Sequence, residues 1–254
     1  MKRLADLGMC PPLYARFSNG LVYGYIPGEV ATPALMGNAE WAPLIARKLA
    51  EWGQVEVPGT RTPHLFPLLR QWLRDVPASY ASEHKDAMFR AHFTVAGLAA
   101  GVDELEKLLS RVDSPVVFAH NDLLSGNIIM AESRDHVSFI DYEYATYNYR
   151  GFDIANHFCE YAGFECDYSR YPSKDAQLGW FKVYLEHIHE DATPEALERM
   201  YEEVQVFRLA SHYYWGVWGL VQASISEIDF DYMNYARMRF DEYNRVKQQL
   251  FEHI

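Results

Sequence analysis

A run of polar side chains, His120-Asn121-Asp122-Leu123-Leu124-Ser125-Gly126-Asn127, interrupts an otherwise apolar stretch in the middle of a 254-residue chain. Asp122 and Asn127 stand five apart, and Asp141 follows nineteen residues after Asp122, in Phe139-Ile140-Asp141-Tyr142-Glu143. A hard cation such as Mg²⁺ takes oxygen ligands, few of them from protein when phosphate and water supply the rest. Asn127 offers a neutral carbonyl oxygen and Asp141 a carboxylate. That leaves Asp122 to orient and deprotonate a hydroxyl. Asp or Asn singly in a glycine-containing loop is ordinary turn chemistry. The conjunction is rarer: D-x-x-x-x-N, a histidine two before the first Asp, and a further Asp at a strand end. It is the division of labour of a phosphoryl-transfer site.

The flanking segments position these groups. Val116–Ala119 reads as a short apolar strand feeding the polar run, and Ile128–Met130 with Val137–Ile140 as a hairpin beyond it. Upstream, Leu13–Phe17 and Leu21–Ile26 read as two strands around the turn Ser18-Asn19-Gly20, the second stopped by Pro27-Gly28. Trp41–Trp52, Leu65–Leu73 and Ala87–Leu109 carry helical spacing, with residues 53–64 a loop. From Pro194 the chain is helical again, with Leu197, Met200, Tyr201, Val204 and Phe207 on one stripe. Glu195, Glu198, Glu202 and Glu203 are expected on the opposite, solvated face. Arg150 and Asp153 are expected to pair and brace the loop before them. Strands gathered near the centre and helices on either side predict an α+β fold.

Composition narrows the function. Hydrophobic residues make up 49% and charged residues 23%, as in a folded globular domain. The net charge of −12 argues against a nucleic-acid partner, which is a polyanion. No polybasic cluster would hold the chain to an anionic membrane. The charge-free stretch from Leu209 to Ser226 holds Ser211, His212, Gln222 and Ser224, so it predicts a buried helix rather than a stable membrane insertion. The start of the sequence lacks the apolar core of a secretory signal. Cys10, Cys159 and Cys166 form neither a disulfide framework nor a zinc pattern, which suits a reducing, cytoplasmic setting. His187 and His189 read as surface histidines.

HNDLLSGNI (120–128) and FIDYEYATYNYRGFDIANHFCEYAGF (139–164) together resemble the choline/ethanolamine kinase family. LYARFSNGLVYGYIPG (13–28) and ASHYYWGVWGLVQASIS (210–226) extend the resemblance over essentially the whole chain. CEYAG (159–163) and QLGWFKVYL (177–185) are more similar to the ethanolamine kinases than to the choline kinases. The resemblance implies a protein-kinase-like fold that phosphorylates the hydroxyl of ethanolamine with ATP and Mg²⁺, on the CDP-ethanolamine route to phosphatidylethanolamine. It implies Asp122 as catalytic base, Asn127 and Asp141 as metal ligands, and Gly24, Tyr25 and Ile26 beside the adenine, within a hinge at 24–28. Glu160, Trp215, Trp218 and Tyr235 would wall the amine together with Asp122, because a small cation needs negative charge and aromatic faces. A Trp-x-x-Trp stripe is equally what ordinary core packing gives. Glu160, beside the apolar run Ala155–Phe158, needs a partner to be buried.

The sequence departs from the kinase pattern at its start. It contains no G-x-G-x-x-G and no G-x-x-x-x-G-K-[ST], and its first lysine, Lys2, lies on the wrong element. The expectation is a small lobe truncated to its last strands and hinge (residues 1–30), before a mainly helical large lobe (31–254). Such strands would expose unpaired edges and apolar surface. Alternatives to an active ethanolamine kinase are a choline kinase, or a catalytically impaired kinase-like lobe that binds or dimerises, for instance as a homodimer. A phosphotransferase of the aminoglycoside kinase type fits the long second motif less well.

Overall fold

The apolar stripes of the C-terminal half are long enough to form a helical frame, and the short strands are pinned to it. The computed structural model describes residues 1–251. In chain order the elements are α1 (Lys2–Asp6), β1 (Leu13–Phe17), β2 (Gly20–Tyr23), β3 (Glu29–Val30), α2 (Pro33–Met36), α3 (Ala42–Gly53), α4 (Leu65–Asp75), α5 (Glu83–His92) and α6 (Val95–Leu109). Then come β4 (Val116–Ala119), β5 (Ile128–Met130), β6 (Val137–Phe139), β7 (Thr146–Tyr149), α7 (Arg150–Cys159), α8 (Lys174–His187), α9 (Pro194–Ile225) and α10 (Tyr232–Phe251).

The strands make three small antiparallel sheets: β1–β2, β3–β5–β6 and β4–β7. The hairpin expected at 128–140 is present, with Ile128 opposite Phe139 and Met130 opposite Val137. The N-terminal hairpin turns through Ser18-Asn19, with Phe17 opposite Gly20. Its second strand stops at Tyr23, short of the expected Ile26. Gly24 still donates to the Pro12 carbonyl at 3.0 Å, but Pro11 and Pro12 have no N–H to continue the ladder. Gly28 then turns with φ +145°, where a Cβ would lie 2.4 Å from the Met130 carbonyl oxygen. Only glycine lets the segment lie this close to β5. Beyond it β3 pairs with β5, and Leu4 of α1 is buried in the same hydrophobic core as the helices.

The helical part centres on α9, which packs along α7 and α10 and touches α4, α6 and α8. Its second half, the charge-free stretch, is buried almost throughout. Gly216 lets α10 approach, since a Cβ there would meet the Phe240 ring at 2.6 Å. Among the described residues no helix is long and apolar enough to cross a membrane. One helix expected over 87–109 is two. Phe93 and Thr94 are extended, and Thr94 Oγ1 caps α6 by accepting from the Gly97 amide at 3.0 Å.

Two expected side-chain roles are corrected. Arg150 does not pair with Asp153; its Nη2 donates to Glu203 Oε2 at 2.6 Å. Asp153 is instead turned inward, where β4 ends and leaves backbone amides to be satisfied. Glu203 is accordingly not on a solvated face: it is buried and also accepts from Ser114 Oγ at 2.7 Å. Glu195 and Glu202 stay exposed, as expected. Breaking a buried ion pair strands its partner. Glu203→Ala is therefore expected to lower stability by about 3 kcal/mol in urea unfolding. Lys174→Ala, which removes an exposed pair with Glu198, should change it by less than about 1 kcal/mol.

Candidate active site

The polar run is held by a carboxylate beneath it. Asp153, on the first turn of α7, accepts from the His120 amide at 2.9 Å and the Asn121 amide at 2.8 Å. Burial pushes its carboxyl up to about 6, against the pull of those two amides. Asn121 adopts φ +65°, a left-handed turn that asparagine tolerates. Its side chain is fixed from both ends: Nδ2 donates to the Tyr144 carbonyl at 2.9 Å, and Oδ1 accepts from Asn148 Nδ2 at 2.8 Å.

His120 joins the two halves of the site. Its Nδ1 accepts from the Asp122 amide at 3.3 Å, and its Nε2 lies 3.0 Å from the Ile140 carbonyl, immediately before Asp141. Those partners require the proton on Nε2. The ring is fully buried against Trp52, Phe139 and Tyr142, and burial lowers its pKa to about 4, so it is neutral at physiological pH. The Ile140 amide in turn donates to the Asn127 carbonyl at 3.0 Å. Asn127 Nδ2 donates to the backbone carbonyl of Asp122 (2.8 Å) and to its Oδ2 (3.1 Å), so the amide oxygen of Asn127 faces away from Asp122. Asp141 is exposed, at φ +59°. Asp122 and Asn127 are thus in direct contact, and Asp141 follows the Ile140 whose backbone bonds both His120 and Asn127.

Asp122 is buried, and its Oδ1 has no hydrogen-bond partner. Burial raises its pKa to about 8, with Glu160 and Asp141 adding repulsion; the Asn127 amide opposes the rise. Beside it lies a cavity of about 150 Å³ lined by Asp122, Leu124, Glu143, Tyr144, Glu160, Phe164, Trp215, Trp218 and Tyr235. The ring centroids of Trp215 and Trp218 are 5.3 Å apart, edge to face. Trp215 Nε1 donates to Asn156 Oδ1 at 2.6 Å and Trp218 Nε1 to the Tyr144 hydroxyl at 3.0 Å, so both indoles are locked. Glu160 has the partner its burial requires: Arg239 Nη1 donates to its Oε1 at 2.9 Å.

The structure therefore brings Asp122, Glu160, Trp215, Trp218 and Tyr235 to one cavity, with Asn127 and Asp141 adjoining. Gly24, Tyr25 and Ile26 do not share that wall. They lie between β2 and β3, with Tyr25 85% exposed. Sequence reasoning passed over Asn156, Glu143, Tyr144 and Arg239, and gave Asp153 the wrong partner. Arg239 carried a signal: it falls on the helical stripe Tyr232, Tyr235, Ala236, Tyr243, Val246, where an unpaired cation would not be buried.

A bilobal kinase's large lobe, in which a D-x-x-x-x-N loop and a strand-end aspartate converge beside a cleft, describes this arrangement: the chain has the protein-kinase-like fold. The family model described as choline/ethanolamine kinase matches residues 1–244, and the chain belongs to that family. It is 40% identical over 243 residues to the probable ethanolamine kinase A of Dictyostelium discoideum, covering 95% of this chain and 69% of that one. It is 42% identical to the ethanolamine kinase of Drosophila melanogaster, covering 94% of this chain and 48% of that one. It thus spans about half to seven-tenths of the length of these two relatives. Among solved structures, the Plasmodium vivax ethanolamine kinase superposes with a TM-score of 0.85 at 30% identity, over 94% of this chain and 68% of that one. The Cryptosporidium parvum choline kinase superposes at 0.80 with 24% identity, over 98% and 76%, and shows the shared fold.

The raised pKa of Asp122 has a sign that stability measurements can check. The folded state holds the proton between the unfolded carboxylate's range near 4 and about 8, so stability falls as pH rises through that window. Asp122→Asn removes the effect. The variant is expected to be the more stable by a few kcal/mol at pH 9, with the gap closing towards pH 4 in parallel urea titrations.

Proposed function

We propose that the chain is the catalytic part of an ethanolamine kinase, transferring the γ-phosphoryl group of ATP to the ethanolamine hydroxyl to give phosphoethanolamine. The observation that carries this reading is the cavity beside Asp122, small, rimmed by three carboxylates and walled by aromatic rings. An ammonium group is attracted to aromatic faces by about 0.5–2 kcal/mol each. The carboxylates of Glu160 and Glu143 add charge attraction and N–H acceptors. The names of the relatives, ethanolamine kinases in the main, support the same substrate class.

With the amine seated between Trp215, Trp218 and Tyr235, the hydroxyl two carbons away reaches Asp122. Asp122 accepts the hydroxyl proton as the oxygen attacks the γ-phosphorus and the bond to the β–γ bridging oxygen breaks, releasing ADP. The arriving ammonium favours the ionised form of Asp122, offsetting the burial and the carboxylate repulsion that raise its pKa. Asn127 Oδ1 and the Asp141 carboxylate would hold Mg²⁺, which neutralises phosphate charge when bound. A two-residue oxygen site suits that ion. Among the described residues no group of three or more His, Cys, Asp or Glu is arranged for a metal. We assign residues 24–26 to the adenine edge, residues 1–30 to the hinge side and 31–254 to the catalytic lobe. The unpaired cysteines Cys10, Cys159 and Cys166 support a cytoplasmic setting.

One observation favours a second reading, a kinase-like lobe that docks onto a second copy rather than turning over. The β1–β2 hairpin exposes Tyr14 (68%), Phe17, Leu21, Val22 and Tyr23 together. Purified protein with MgATP and ethanolamine is expected to form phosphoethanolamine, with kcat/KM higher for ethanolamine than for choline. Asp122→Ala should lower kcat by about 10²–10⁴-fold, and Asp141→Ala should abolish turnover. Folded protein without turnover, eluting as a dimer, would establish the second reading instead.

A further inference from the structure

Arg239 is the least exposed Asp, Glu, Lys or Arg among the described residues, with only 1% of its side chain exposed, and nothing in the reaction above uses it. Its guanidinium spans two tasks. Nη1 donates to Glu160 Oε1 at 2.9 Å, and Nη2 donates to the Ser211 hydroxyl at 3.0 Å and the Ser211 carbonyl at 3.2 Å. The Ser211 hydroxyl in turn donates to Asn156 Oδ1 at 2.9 Å, the atom that also accepts from Trp215 Nε1. Asn156 Nδ2 donates to the Asn121 carbonyl at 3.2 Å, one residue before Asp122. A single line of hydrogen bonds therefore runs from the carboxylate of the cavity through Arg239 to its aromatic wall and its reactive loop.

The geometry points to Arg239 as a positioning residue that sets amine selectivity by taking one oxygen of Glu160 and fixing the direction of the other. This rests on the reading of the cavity as an amine site. A primary ammonium has three N–H donors and gains from an acceptor held at a defined angle. A quaternary ammonium has none and is held by aromatic faces and net charge, which do not depend on where one carboxylate oxygen points. The planar fork of arginine suits this double duty. Lysine would keep the charge but lose the second arm. Arg239 also offsets part of the Glu160 charge while leaving its second oxygen an acceptor, so direction adds to the charge attraction that the cavity offers an ammonium group.

The test compares wild type, Arg239→Met, Arg239→Lys and Ser211→Ala for binding of ethanolamine and choline, read by quenching of tryptophan fluorescence, and for KM and kcat with each amine. Arg239→Met is expected to weaken ethanolamine binding on the order of tenfold, one directed charge-assisted hydrogen bond, with a much smaller change for choline. KM for ethanolamine should rise while kcat at saturation stays within about twofold. Arg239→Lys should recover part of the loss, and Ser211→Ala should show a weaker form of it. If Arg239→Met does not fold, the other two variants carry the comparison. Equal losses for both amines, or unchanged selectivity in folded variants, would overturn the inference while leaving the amine site standing. Failure of the wild type to bind either amine would overturn both.

Discussion

Where β4 ends, two consecutive backbone amides lose their strand partner inside the core, and the carboxylate of Asp153 accepts both. An unpaired buried amide costs about 1–3 kcal/mol, so this one side chain determines whether the 120–127 loop can exist where it does. Because Asp153 sits on the first turn of α7, the loop is referenced to the helical frame rather than to the strands that flank it. The neutral ring of His120 then carries the position across to Ile140, and the Asn127 carbonyl closes the circuit through the Ile140 amide. Rigidity of this kind is what a transfer reaction needs, since the reacting groups must meet at near-contact distance.

The same frame handles charge by separation. Asp153 and His120 lie in the core, one satisfied by amides and the other uncharged. Asp141 and Glu143 stay in water. Asp122 and Glu160 fall between, at a wall of aromatic rings, and they are treated differently. Glu160 has an arginine behind it, whereas Asp122 has a neutral amide and one oxygen with no partner. A pair of carboxylates whose surroundings differ in this way is suited to distinct tasks, one holding and one reacting.

Much of the frame is written locally and could be read directly. The strand–loop–strand around Asp122, the 128–139 hairpin and the buried stretch of α9 each follow from periodicity within one segment. What escaped depended on partners far away in sequence. The break at Phe93-Thr94 hides inside a continuous helical pattern and shows only once Thr94 Oγ1 is seen capping α6. β7 has no pattern of its own until β4 is placed beside it. Arg150 beside Asp153 suggests an ion pair, but Asp153 accepts from backbone amides, which leave no mark in a sequence. Glu203 looked solvated by its neighbours Glu198 and Glu202, and was buried by Arg150 and Ser114. Residues 24–26 lie away from the cavity beside Asp122, held by the Gly24 amide on the Pro12 carbonyl and by Gly28 against β5.

Asn121 and Asp141 share an uncommon backbone, both turned left-handed at the two ends of the reactive stretch. Few residue types accept that conformation without strain, chiefly Gly, Asn and Asp. At 121 the amide side chain is also spoken for at both ends, so glycine would satisfy the turn and forfeit the bracing. At 141, aspartate is the one of these three types that places an exposed carboxylate on the turn. Sterics favour a few residue types at each position, and the side-chain bonds at 121 narrow them further.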